Sequence, residues 1–203
     1  KRRVAPLMAR PTQSHRVLAA MHRRGLFRWW VNQNHDGLPQ KAGFPQHALN
    51  EIHGAWFDPT NPVVPMSGML RTDLIEDLLN IEDQSDLCLA LGSSLCGMNA
   101  DRLVTSNAER FLVASASSSS SSSSSSKASS KPKPGGVVIV SLQRTQHDAR
   151  SSLRVYAPLD EVFEMLAREL GLDVPAAVDV DLDANDPPAG QVVFPGLPYD
   201  PVT

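Results

Sequence analysis

Two short apolar runs constrain this chain more than anything else in it: Asp86–Leu91 (DLCLAL) and Val137–Val140 (VVIV). Each is too short for a buried helix, and neither alternates cleanly between apolar and polar residues. A brief, nearly continuous apolar run is the pattern of a parallel strand covered on both faces. Parallel neighbours need long crossovers between them, usually helices, and helical patterns do flank these runs. Arg71–Ile81 is amphipathic, with Leu74, Leu78 and Ile81, or Ile75 and Leu79, as its apolar face. Asp160–Leu170 spaces Val162, Phe163, Leu166 and Leu170 at the helical period, and Gly171 stops it. Nearer the start, Thr12 or Ser14 caps a helix to about Arg24, with Val17, Leu18 and Met21 on one face and Gly25 at its end. Leu26–Val31 then reads as a buried strand with Trp29 and Trp30 on opposite faces, and Leu153–Tyr156 as another. Gln46–Ile52 reads as one or two helical turns. The proline-bearing stretch 56–65 reads as irregular. Buried strands separated by helices predict an α/β layered sheet.

Low complexity divides that pattern. Ala114–Gly136 carries ten uninterrupted serines, Ser117–Ser126, followed by KASSKPKPGG. Such a segment buries too little apolar surface to offset its ordering entropy. The expected organisation is therefore a core in two parts, 1–113 and 137–172. Between them lies a flexible Ser-rich insertion, 114–136, and after them an acidic, proline-rich tail, 173–203, whose apolar cluster Val192–Phe194 is a candidate for docking. A net charge of −3 gives no global electrostatic case for nucleic acid. Two cysteines, Cys88 and Cys96, make no disulfide framework and fit a reducing, intracellular compartment. No apolar run approaches the roughly 18 residues of a membrane span, and no secretory signal is visible.

Polar residues gather where the strands end. In an open parallel sheet, ligands bind beyond the carboxyl ends of the strands. Asn32–Asp36, Gly92–Asn99 and Ser141–Thr145 each follow a buried run, so one sheet would bring all three to one edge and one crevice. The densest of these stretches is Asn32–Gly54 (NQNHDGLPQKAGFPQHALNEIHG). The amides of Gln33 and Asn34 both donate and accept, which suits a carboxamide or a sugar diol. Asp36 adds a carboxylate. His53 is a candidate general base, because imidazole is the side chain whose charge changes near neutrality. Gly92-Ser93-Ser94 offers backbone N–H groups and hydroxyls to an anion or a ribose. Each of these also has a plainer reading. Gly92-Ser93-Ser94 serves equally as a helix cap, Asp36-Gly37 as turn chemistry, and His53 as an ordinary hydrogen-bonding histidine.

The motifs resemble those of the sirtuin family. Its signature is a strand ending in Thr-Gln-Asn-x-Asp-Gly-Leu-His, then x-x-Ala-Gly, then a His-Gly some ten residues on. Here the stretch Asn32-Gln33-Asn34-His35-Asp36-Gly37-Leu38-Pro39-Gln40-Lys41-Ala42-Gly43 is followed by Glu51-Ile52-His53-Gly54. Asp86–Leu95 (DLCLALGSSL) is similar to the family's Ala-Asp-Leu…Gly-Thr-Ser-Leu segment, and Ile139–Thr145 (IVSLQRT) to its Ile-Asn-x-x-x-Thr strand end. The similarity runs from about Ala9 to Leu172.

The resemblance implies a Rossmann-like parallel sheet and NAD as cofactor. It implies NAD-dependent removal of an acyl group from a lysine of a protein substrate, with release of nicotinamide. His53 would be the base. Asn34 and Asp36 would hold nicotinamide and an ordered water, and Gln33 the ribose. Gly92, Ser93 and Ser94 would contact the adenosine side, with Ser141 at the position of the family's ribose-binding asparagine. Two family elements have no counterpart in the sequence: the glycine-rich Gly-Ala-Gly-x-Ser segment that cradles the pyrophosphate, and two Cys-x-x-Cys pairs that hold zinc. No metal is therefore expected, and the zinc-binding small domain is expected to be absent or reduced. The alternative implied by these departures is a degenerate sirtuin-like module that binds NAD, an ADP-ribose metabolite or a protein without turnover. Transfer of a single ADP-ribose would share the same early chemistry.

Overall fold

A computed structural model describes residues 9–118 and 134–175. The expectations for the serine tract beyond Ser118 and for the tail beyond Pro175 lie outside these residues. The chain divides into two compact units, one formed by Lys1–Ile75 with Val162–Thr203 and the other by Glu76–Glu161.

In the first unit, helix α1 spans Gln13–Arg23. Thr12 precedes it in an extended conformation, and its N–H and hydroxyl both donate to His15 Nδ1, at 3.3 and 2.9 Å. The buried face is Ser14, Val17, Leu18, Ala19, Ala20 and Met21. Gly25, at φ +71°, turns the chain out of the helix, with Leu26 N–H on the Met21 carbonyl at 2.9 Å. Strand β1 is Trp30–Asn32, shorter and later than the 26–31 expected. It is followed by α2, Leu38–Lys41, then a 3-10 turn, Gln46–Ala48, and strand β2, Leu49–Glu51. β1 and β2 pair in parallel, Trp30 with Leu49 through Asn32 with Glu51. The helical reading of 46–52 therefore holds for its first half and fails for its second, which is a strand. Phe44, Ala48, Leu49 and Ala19 form a core cluster, with Phe27 and Trp30 against it.

Residues 55–71 form an irregular connection, and buried polar groups hold it. Asn61 Nδ2 donates to the Glu51 carbonyl at 3.0 Å, while the Asn61 carbonyl accepts from Ala55 N–H at 2.9 Å. Asp58 Oδ1 accepts from the Thr60 N–H and hydroxyl, at 2.8 and 2.7 Å. Arg71 donates to the Thr60 carbonyl at 2.8 Å and pairs with Asp73. Helix α3, Thr72–Gln84, begins in this unit. Asn50, buried on β2, reaches the Leu74 carbonyl at 2.9 Å. The second part of helix α5, Leu159–Glu169, also belongs here. Arg24 donates to the Gly171 carbonyl at 3.3 Å, tying α1 to the turn that follows α5.

The second unit is built on a parallel sheet of order β3-β4-β5, with β3 at Leu87–Leu91, β4 at Gly136–Val140 and β5 at Leu153–Val155. Leu91 faces Val140, and Val140 faces Val155, so all three strands stop at the same edge. Helix α4, Arg102–Ser118, packs on β3 and β4 and continues past Ala114 into the first serines. Its Val104 and Ala108 meet Ala90, Leu95, Val137 and Ile139 in one core. Glycine is required at Gly136, where φ is +88° and an added Cβ would lie 1.9 Å from Ser152 Oγ. Helix α5, Leu159–Glu169, starts in this unit, and Phe163 and Ala167 are its buried residues.

The structure thus has parallel sheets with flanking helices, as the apolar runs predict. It differs in strand pairing: β1 joins β2 and not the sheet of β3, β4 and β5. The expected single edge of three strand ends becomes two edges, one in each unit.

Candidate functional site

In the first unit, two loops leave the ends of β1 and β2 and bond to each other. The β1 loop is shaped by Asn32, which is buried. Its Nδ2 donates to the Asn34 carbonyl and its Oδ1 accepts from Asn34 N–H, both at 3.2 Å. This bracket leaves Gln33 half-buried and Asn34 exposed. Asp36 Oδ1 then accepts from Leu38 N–H at 3.1 Å, so this carboxylate starts α2. Gly37 follows at φ +64°, close under the Phe57 ring. Lys41, at the end of α2, donates to the Ala9 carbonyl at 2.9 Å. Burial pulls its pKa below the usual lysine value, and the nearby Asp36 charge opposes that shift.

The β2 loop carries His53. Glu51 is buried, and its carboxylate accepts from Gln40 Nε2 at 2.8 Å. Gly54 N–H donates to the Glu51 carbonyl at 2.9 Å, which closes a tight turn around Ile52-His53. On the far side, Val64 N–H donates to the His53 carbonyl at 3.0 Å. The His53 ring is half-buried, and its Nε2 is shielded from solvent with no hydrogen-bond partner. Asn61 Oδ1, Asp101 Oδ1 and Asn107 Oδ1 are buried in the same way, so what sets the His53 nitrogen apart is its place, on a loop bonded to the one that bears Asn34 and Asp36. The two loops meet through His35, whose Nδ1 donates to the Gly54 carbonyl at 2.7 Å, while Trp56 N–H donates to the His35 carbonyl at 2.9 Å. Asn34, Asp36 and His53 therefore stand on loops held together by direct bonds.

In the second unit, the four remaining candidates gather at the carboxyl edge of the sheet. Gly92 follows β3 at φ +61°, and its N–H donates to the Val140 carbonyl at 2.9 Å. Ser93 Oγ accepts from Leu95 N–H at 3.3 Å, and Ser94 is exposed. Ser141 follows β4. Its N–H donates to the Val155 carbonyl at 3.2 Å and its hydroxyl accepts from Gln143 N–H at 3.3 Å. Gly92-Ser93-Ser94 does not cap the next helix. Residues 95–98 intervene before a 3-10 turn, Asn99–Asp101, where Asp101 Oδ2 accepts from Gly97 and Met98 N–H, at 2.7 and 3.0 Å. The serine hydroxyls are thus not consumed by a helix end.

Sequence reasoning missed the group that supports the loop after β4. Arg154 pairs with Asp148 at 2.9 Å, lies over the Tyr156 ring at 3.7 Å, and donates to the carbonyls of Ser141, Gln143 and Val155. Asp148 also accepts from Thr145 and Tyr156 hydroxyls, at 2.6 and 2.8 Å. The Thr145 hydroxyl, with Tyr156 and Arg154, holds the Asp148 carboxyl well below the usual carboxylate range. An arginine inside a weak strand, six residues after an aspartate, was the available signal.

The residues present do not fit a structural zinc. The chain has two cysteines, and Cys88 lies in β3, where burial pushes its thiol up to about 12. Zinc of the structural kind takes four thiolate or imidazole ligands. Among the described residues no cluster of histidine, cysteine, aspartate or glutamate is placed to hold a metal. No helix among them is long and apolar enough to cross a membrane.

A Rossmann-like α/β protein with an unpartnered histidine on a strand-end loop is the class that the two units define. No protein-family model matches the chain. It is 26% identical over 190 residues to the NAD-dependent protein deacetylase sirtuin-7 of Homo sapiens, covering 83% of this chain and 48% of that protein. It is also 26% identical over 194 residues to the NAD-dependent protein deacetylase SRT1 of Arabidopsis thaliana, covering 86% of this chain and 40% of that protein. The chain thus spans about half or less of the length of these relatives. Among solved structures it superposes on a Sir2 complex with a p53 peptide and NAD+, with a TM-score of 0.63 at 22% identity, over 82% of this chain and 72% of that one. A Sir2 complex with the inhibitor EX-527, 2'-O-acetyl-ADP-ribose and deacetylated p53 peptide gives 0.65 at 21%, over 83% and 75%. In sequence and in fold the chain is thus similar to proteins of the sirtuin family.

Proposed function

We propose that this chain carries out NAD-dependent deacylation of protein lysines, inside the cell. One observation carries the reading: the shielded, unpartnered Nε2 of His53, on a loop bonded to the one that bears Asn34 and Asp36. A histidine nitrogen kept dry and unpaired is ready to take a proton from a bound hydroxyl. The sequence relatives named as NAD-dependent protein deacetylases support the same assignment.

NAD, when bound, supplies an electrophilic ribose carbon with neutral nicotinamide as its leaving group. In this reading His53 accepts the proton of a ribose hydroxyl. The Asn34 amide and the Asp36 carboxylate hold the carboxamide of nicotinamide and an ordered water. Gln33 binds the neighbouring ribose. Gly92 and the Ser93 and Ser94 hydroxyls serve the adenosine side, the glycine by letting the ligand approach closely, with Ser141 on the adenine ribose. Among the described residues, no glycine-rich segment is available for the pyrophosphate. The protein's share of the catalysis is positioning and exclusion of water, not covalent chemistry.

The test is release of nicotinamide from NAD in the presence of an acetyl-lysine peptide. His53→Ala is expected to lower turnover by roughly 10²–10⁴-fold, the usual contribution of a general base, with an unchanged melting temperature. Unchanged turnover in that variant removes the role given to His53. Calorimetric binding of NAD without any nicotinamide release would favour the binding module over the enzyme.

A further inference from the structure

We infer that His35 is a positioning residue that locks the loop bearing His53 against the loop bearing Asn34 and Asp36. The catalytic consequence rests on the function proposed above; the clasp itself rests on geometry. The bond from His35 Nδ1 to the Gly54 carbonyl is 2.7 Å, and the bond from Trp56 N–H to the His35 carbonyl is 2.9 Å. One residue thus grips the chain at two points, immediately after the base. The Trp56 ring lies 6.0 Å from the His35 ring, tilted by 45°, and covers one side of it.

The Gly54 carbonyl has little freedom to turn away. Gly54 sits at φ +87°, its N–H is held by the Glu51 carbonyl, and an added Cβ would lie 2.3 Å from Pro62 O. Val64 N–H holds the His53 carbonyl at 3.0 Å. These bonds fix the His53 turn to its own strand and to the 62–64 segment. The two His35 bonds add the link to the other loop. A 1 Å error between catalytic groups costs up to about 100-fold in rate, so this is where a positioning residue acts.

The acceptor is a carbonyl, so His35 must carry its proton on Nδ1. Neutral imidazole in that tautomer and imidazolium both donate there, and the clasp survives either state. Asparagine can present its Nδ2 close to the position of histidine Nδ1, whereas leucine fills similar space without a donor.

Three measurements test the inference. In the unliganded protein, ring ¹⁵N spectra are expected to show His35 protonated on Nδ1; a neutral Nε2–H tautomer overturns it. Amide hydrogen exchange over residues 53–57 is expected to speed up about tenfold or more in His35→Leu and to return toward the parent rate in His35→Asn. Equal exchange in all three proteins overturns it. In the deacylation assay, His35→Leu is expected to lower kcat about 10- to 100-fold with the peptide KM nearly unchanged, and His35→Asn to restore most of it. A Leu variant with parental kcat overturns it. The tautomer and exchange readings do not need turnover. A parent protein without nicotinamide release but with both of those signatures keeps the clasp and removes the proposed activity.

Discussion

Replacing Gly54 by alanine isolates the cost of the tight turn behind His53. Gly54 stands at φ +87°, and a Cβ there would lie 2.3 Å from the Pro62 carbonyl oxygen and 2.7 Å from Val63 Cα. Both are backbone atoms, so no side chain can swing aside. Ordinary contact begins at 3.4 Å, so the 62–63 segment must retreat by roughly 1 Å. That retreat strains the bonds from Val64 N–H to the His53 carbonyl and from Ala55 N–H to the Asn61 carbonyl, at 3.0 and 2.9 Å. Each such bond is worth about 1 kcal/mol, and the left-handed backbone costs an alanine about 1–2 kcal/mol. The sum is about 3–4 kcal/mol, or a fall of roughly 10 °C in melting temperature for a chain of this size. Gly25 supplies the control: it has φ +71° and nothing within 4 Å of an added Cβ. Gly25→Ala bears the backbone strain without the collision and is expected to lose only about 3–4 °C. Thermal melts of the two variants, followed by circular dichroism, give the comparison. Equal losses in both would refute the reasoning, because the Pro62 contact would then cost nothing.

Two further outcomes follow from the second unit. The folded carboxyl of Asp148 is held below its ordinary range, first by the Thr145 hydroxyl and then by Tyr156 and Arg154. A depressed carboxyl contributes stability that is present above the unfolded value near ~3.9 and is lost as pH falls toward the folded value. Asp148→Asn should therefore be less stable than the parent at neutral pH. It should also show a flatter loss of stability below about pH 4, measured by urea unfolding at a series of pH values; parallel curves would contradict this. The cysteines should separate by reactivity: Cys96 is exposed, while Cys88 is half-buried in β3, where burial pushes its thiol up to about 12. Mass spectrometry after iodoacetamide treatment should find one adduct on the native protein and two in denaturant. Two adducts under native conditions would contradict the placement of Cys88.

What could be seen in the sequence was apolar repetition. β3 and β4 announced themselves as short, nearly continuous apolar runs, although only β4 is buried along most of its length and Leu87 of β3 is exposed, and α3 and α5 because their apolar residues recur at the helical period. β2 gave no such signal. Leu49-Asn50-Glu51 is buried, yet two of its three side chains are polar and bond to groups outside the strand, the Leu74 carbonyl and the Gln40 amide. No local pattern reports a partner that lies in another element. The same reasoning explains β1: Trp29 and Phe27 look like strand residues, but the pairing with β2 begins at Trp30. Among the candidate site residues, the motif located the loops and the structure supplied the bonds between them. His35 stood in the sequence only as a motif position between Asn34 and Asp36, because its role depends on a carbonyl nineteen residues away.

The division of the chain also sets an order of assembly. The unit bearing His53 is interrupted in sequence: Lys1–Ile75 is completed by residues from Val162 onward, and Glu76–Glu161 lies between. A ribosome delivers these pieces in sequence order. The β3-β4-β5 sheet is whole once Val155 has emerged, while the α1 turn still waits for the Gly171 carbonyl that Arg24 grips. Domains tend to fold as units while they are being made. The later-encoded sheet is therefore free to close first, and the half that holds the candidate base is the last to be finished.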